Sequence, residues 1–180
     1  MENIEKLDLE NIEISNVLEA LKKSKNYNIV KDLPISFIYF TDDSLQIAFL
    51  SENLETLKIF YLKNKENKTQ IVFSEEENVT IDEKRNEQKI NLDEIKISYS
   101  KTKDLFNDFL KKNYSKTKLL KIFYILQNSN LGLIWNITGL CADFDVLNVK
   151  ICAKTGNILE FSKEQMFYYD IQELKDNLSK

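Results

Sequence analysis

The residues best able to do chemistry fall in four groups. Asp143 and Asp145 stand two apart. On a strand that spacing turns both carboxylates to one side, where a hard cation could take oxygen ligands. The ordinary alternative is a turn beside an exposed sheet face. Cys141 and Cys152 could form a redox pair. If residues 142–143 make a tight turn, however, Cys152 falls near Leu133, and two buried structural thiols are expected instead. Lys103, Lys111, Lys112, Lys116, Lys118 and Lys121 are interleaved with Phe106, Phe109 and Tyr114. That mixture could grip a nucleic-acid strand, but the aromatics have helical core spacing, which predicts a core stripe with solvated lysines around it. Tyr168 and Tyr169, before Asp170, could offer an aromatic edge to a partner.

The missing residues narrow the chemistry further. The chain has 180 residues and no His. Ser-His-Asp and Cys-His catalysis are thereby excluded, as is every zinc site needing imidazole. Gly132, Gly139 and Gly156 are the only glycines and are too scattered for a phosphate-cradling loop. A net charge of −4 opposes a nucleic-acid partner, because phosphate binding is usually built on basic surfaces. No catalytic residue, cofactor or metal is expected. The polar, acidic start lacks the apolar core of a signal peptide, and no stretch nears the ~20 apolar residues of a membrane helix. A soluble, cytoplasmic protein is expected from the chain as it stands, or an extracytoplasmic one if it was trimmed from a longer parent.

Periodicity supplies the elements. Residues 1–13 read as a weak lead-in. Ile14, Val17, Leu18 and Leu21 mark one helical face. Strands are predicted over 35–41, 45–50, 56–63 and 69–73, separated by Asp, Asn and Ser turns. Residues 74–94 carry eight acidic residues and read as a solvated connector, the alternative being an acidic docking surface. Thr102 is the expected cap of a second helix bearing Leu105, Phe106, Phe109 and Leu110. Strands over 119–126, 131–138, 144–153 and 157–161 follow. Ser162 and Gln165 have capping-box spacing for a last helix with Phe167, Ile171, Leu174 and Leu178 on one stripe.

The two halves share this order. At an offset of 86 residues, Phe37-Ile38-Tyr39-Phe40 lies on Phe123-Tyr124-Ile125-Leu126, and Leu45, Ile47, Ala48 and Phe49 lie on Leu131, Leu133, Ile134 and Trp135. An internal duplication is the expected cause.

Leu133-Ile134-Trp135-Asn136-Ile137-Thr138-Gly139, followed by Val146 to Lys150 and then Ile151-Cys152-Ala153-Lys154-Thr155-Gly156-Asn157-Ile158-Leu159, resembles a PepSY domain. The resemblance covers residues 103–161, with 15–73 joined to it by internal analogy. Cys152 stands where the family usually has Asp, and Asn157 where it often has Glu. The resemblance implies a non-catalytic module associated with peptidases or extracytoplasmic proteins. It places Trp135 on the helix-facing side of the sheet, Gly156 at a positive-φ turn, and Thr155 on the exposed turn.

The resulting expectation is an α+β fold of tandem units, each an amphipathic helix on an antiparallel sheet, PepSY- or cystatin-like, with a C-terminal helix. The units would be residues 1–98 and 99–180, with the charged connector 74–98 in the first. The function expected is protein–protein binding or regulation, through a surface including Phe49, Trp135, Thr155, Gly156, Tyr168 and Tyr169. A small-ligand site in an apolar cavity lined by Phe49 and Trp135 is the first alternative. A carboxylate enzyme or metal site at Asp143 and Asp145 is the second.

Overall fold

A computed structural model describes residues 2–9, 11–41, 43–51, 56–76 and 89–166. Its strands are β1 (Glu2–Glu5), β2 (Ile35–Phe40), β3 (Ser44–Leu50), β4 (Leu57–Lys65), β5 (Lys68–Glu76), β6 (Leu119–Ser129), β7 (Gly132–Cys141), β8 (Asp145–Cys152) and β9 (Ile158–Gln165). The helices are α1 (Ile14–Lys22), the single-turn α2 (Tyr27–Val30) and α3 (Tyr99–Asn113), with a 3-10 turn at Leu92–Glu94.

The expected tandem α+β units are not what forms. All nine strands join one antiparallel sheet in the order β1-β5-β4-β3-β2-β6-β7-β8-β9, and strand dominates the described residues. Two meanders, β2 to β5 and β6 to β9, meet through their first strands. The physical reason is edge satisfaction. A separate sheet in each half would leave β2 and β6 with unpaired backbone groups, whereas pairing them removes both edges. Phe37 lies opposite Gln127, Ile38 opposite Leu126, Tyr39 opposite Ile125 and Phe40 opposite Tyr124. This register sets Tyr39 opposite Ile125, residues the 86-residue offset places on each other.

One face of the sheet is covered by helices. Val17 and Leu21 of α1, Val30 of α2, and Phe106 and Phe109 of α3 share a core with Phe40, Leu45, Phe60, Leu126, Trp135 and Val149. Strand alternation turns the neighbouring residues to the other face. There Ala48, Leu50, Leu57 and Ile59 form a separate cluster, flanked by Phe37 and Tyr61.

Several boundaries differ from the pattern reading. Residues 2–5 form an edge strand on β5. Leu7 behind them is anchored, its N–H donating to Thr69 Oγ1 at 2.8 Å while its carbonyl accepts from Asn64 Nδ2 at 3.0 Å. The cap of α3 is Ser98, whose Oγ accepts from the Lys101 N–H at 3.2 Å. Thr102 is fully buried inside the helix and donates to the Ser98 carbonyl. Moving the cap back by one turn brings Tyr99 into the core, stacked on Phe40 at 4.3 Å. Gln127, Asn128 and Ser129, expected as turn, continue β6, and the hairpin closes on Asn130 and Leu131 before Gly132 at φ 85°. Ser162 and Gln165 lie in β9, not at a helix cap, because β8 offers pairing along its whole length. The remainder of the expected C-terminal helix, and residues 77–88 of the charged connector, lie outside the described residues.

Candidate functional site

The face on which no helix lies among the described residues is built in rows, since residues directly opposite in a sheet point to the same side. The central row runs Val72, Tyr61, Gln46, Tyr39, Ile125, Asn136, Lys150, Glu160. Phe37, Ala48 and Ile59 with Gln127, Ile134 and Cys152 make the row on one side of it. Phe123, Thr138, Asn148 and Ser162 make the row on the other.

This face has two chemistries. Over β2 to β4 it is apolar and aromatic. Over β7 to β9 it is polar, and the Lys150 ammonium meets Glu160 at 2.7 Å. Tyr39 and Phe123 stack across the seam with ring centroids 6.0 Å apart and planes 21° from parallel. The Lys121 ammonium lies 5.0 Å from the Phe123 ring centre on the same side. Phe37, Tyr39, Tyr61 and Phe123 are each half-buried, leaving ring surface open to contact. Burial pushes the Tyr39 phenol up, so it stays a neutral donor. Asn136 Oδ1 and Asn148 Oδ1 are buried and lack a hydrogen-bond partner among the described residues. Two such acceptors are costly unless a donor reaches them. The arrangement suits adhesion, with broad aromatic contact on the open face.

The candidate site residues are scattered. Trp135 and Phe49 are core residues on the helix side, 0% and 4% exposed, so neither belongs to a surface. Alternation could have assigned Phe49, and the helix-facing side on which the resemblance places Trp135 is the side it takes, which is inconsistent with a surface role. The Trp135 indole N–H donates to the Ile97 carbonyl at 2.9 Å, and its ring packs on Phe40 and Tyr99. Thr155 is exposed and Gly156 takes φ 79° in the β8–β9 hairpin, away from the Tyr39 stack. Tyr168 and Tyr169 lie outside the described residues. The aromatic seam of Tyr39 and Phe123 was missed as a site. Its sequence signal was the offset that laid residues 37–40 on 123–126.

The alternative chemistries meet specific obstacles. Lys163 Nζ lies 2.9 Å from Asp143 and 2.8 Å from Asp145, so a lysine already occupies the space between the carboxylates. Its hydrogen bond holds the Asp143 carboxyl below the usual range. The two carboxylates in turn raise the Lys163 ammonium pKa well above its ordinary value. Cys152 sits opposite Ile134 rather than beside Cys141, and both thiols are free. A hydrogen bond with Thr155 lowers the Cys152 pKa, and burial raises that of Cys141. A cleft of about 300 Å³ lies between the start of α1 and the start of α3, lined by Glu13, Ile14, Leu18, Asp93, Ser98 and Tyr99. It is not the cavity expected around Phe49 and Trp135. Among the lysine-interleaved aromatics, Phe106 and Phe109 are core and Tyr114 packs against it.

No family profile and no curated protein matches the chain. Among solved structures, "a putative lipoprotein" from Clostridium difficile 630 is similar, with a TM-score of 0.58 and 14% identity. The match covers 91% of this chain and all of the other. The likeness is one of fold. No helix among the described residues is long and apolar enough to cross a membrane.

Proposed function

We propose that this chain is a non-catalytic binding or regulatory protein that takes another protein onto the helix-free face of its sheet. The observation that carries the reading is the Tyr39–Phe123 stack, flanked by half-buried Phe37 and Tyr61. Aromatic anchors of this kind dominate protein interfaces, where they combine large contact area with few rotamers to freeze.

The PepSY resemblance of residues 103–161 supports a peptidase- or envelope-associated setting, and the fold shared with a protein described as a lipoprotein agrees with it. The reading also treats the two helix-led meanders as an internal duplication within one sheet, supported by Tyr39 facing its aligned residue Ile125. The test is photocrosslinking in native cell envelopes, with a benzophenone residue at Tyr39, at Phe123, and at helix-side Lys22. One protein crosslinked from both sheet positions and not from Lys22 is expected, and Tyr39→Asp in a folded chain should abolish it. Equal crosslinking from both faces, or none from the sheet, would refute the reading.

A further inference from the structure

The two outer strands of the sheet are built differently. β1 has four residues, two of them glutamates, and the Glu2 carboxylate accepts from Ser24 Oγ at 3.1 Å and the Lys25 N–H at 3.2 Å. A short, charged, tied-down strand is a protected edge. β9 is twice as long, with eight residues; its Glu160 and Lys163 are drawn to Lys150, Asp143 and Asp145, and no described residue pairs with its outer side. Of the nine large apolar side chains exposed among the described residues, Ile158, Leu159 and Phe161 lie on β9. Met166 and Phe144 lie beside its end. Phe161 is 55% exposed although its ring already touches Phe109 at 5.2 Å. Apolar surface concentrated along an edge that is unpaired among the described residues marks a place for another strand.

We propose that β9 pairs with β9 of a second copy of this chain, forming a two-fold dimer that continues the sheet. This interface is separate from the face assigned to a partner protein. The backbone sets its register. The Met166 N–H donates to the Phe144 carbonyl, on the β8 side. Alternation then turns the N–H and C=O groups of Phe161, Lys163 and Gln165 outward. In an antiparallel two-fold pair, outward residues must face outward residues, so the axis passes through a residue position. An axis at Ser162 sets Glu160 against Glu164 of the other copy. Axes at Glu160, Lys163 or Glu164 set a charge against itself. An axis at Phe161 sets Phe161 on Phe161, Glu160 on Ser162 and Leu159 on Lys163, with no like charges opposed. The protected β1 edge stops further strand addition, so the assembly closes as a dimer rather than growing into a fibre.

Stable interfaces bury about 1,200–2,000 Å², and an eight-residue strand pair falls at or below the lower end. The dimer is therefore weak and concentration-dependent. The test uses the full chain in sedimentation velocity across a wide concentration range. A monomer–dimer equilibrium is expected, with Phe161→Lys raising Kd by about tenfold or more, since it sets two lysines on the axis. Independently, Glu160→Cys with Ser162→Cys in a Cys152→Ser background should oxidise to a covalent dimer, whereas Ser162→Cys alone should not. The two thiols cannot close within one strand, where their Cβ atoms stand about 7 Å apart against the roughly 3.5–4.5 Å a disulfide needs. Monomer at every concentration, or equal crosslinking by Ser162→Cys alone, would overturn the proposal. So would slow hydrogen exchange at the Phe161 and Lys163 amides in a monomer, which would assign the edge to the chain's own residues 167–180. None of these results bears on the crosslinks from Tyr39.

Discussion

Gly156 shows how one position carries a local constraint. Its φ of 79° lies where side-chain-bearing residues are strained, and an added Cβ would stand 3.1 Å from Leu105 Cδ1 and 3.3 Å from Ile97 Cδ1. Gly156→Ala should destabilise the protein by about 1–2 kcal/mol, read from the midpoint of urea unfolding at unchanged slope. The turn was legible in the Lys154-Thr155-Gly156-Asn157 run, because glycine is the residue a positive φ selects. The packing of Leu105 and Ile97 against it was not, since those contacts cross from another element. Thr102 makes the same point in reverse. A Thr ahead of an apolar run resembles a cap, yet Ser98 one turn earlier caps equally well, and burying Tyr99 decided between them.

At the scale of elements, β9 is fastened near its end. Lys163 bridges Asp143 in the β7–β8 turn and Asp145 at the start of β8. The sign of the pH dependence follows from the two shifts. Asp143 is held below its unfolded value, so its contribution is present above the ordinary carboxylate pKa of about 3.9 and is lost as pH falls through the depressed value. Lys163 is raised, so its contribution is complete below about pH 10.4 and is lost only as pH rises through the folded value. The Tm difference between the natural chain and Lys163→Met should therefore be level across neutral pH and shrink at both extremes. A difference that persists unchanged in strong acid would contradict the clamp. Element types were largely legible, because α1 and the strands of both meanders keep clean periods of 3.6 and 2. The length of β9 was not. Ser162 and Gln165 satisfy a capping pattern in isolation, and only the pairing offered by β8 holds them extended.

For the whole molecule, the seam between the meanders decides how the chain behaves. Phe40 is 1% exposed and packs on Tyr99 and Trp135 from the other half. Phe40→Ala should cost about 3–5 kcal/mol, the usual range for a deleted core aromatic. Its effect should reach both halves, so far-UV circular dichroism and Trp135 fluorescence should shift to the same lower midpoint. Two separated transitions would show that the halves unfold independently.

The sequence by itself determined the local content of this protein: helix-led runs of strands in both halves, the glycine turn, a core of regularly spaced aromatics, and the absence of imidazole chemistry. These are consequences of residue type and period, which act over a few positions. Only the tertiary structure decided that the strands form one sheet, because β2 meets β6 across more than eighty residues of chain and nothing local specifies that pairing. The same decision settled which residues reach the surface. Once the helices cover a single face, Trp135 and Phe49 become core, Lys163 fills the space between Asp143 and Asp145, and Tyr39 and Phe123 are brought together on the face left open.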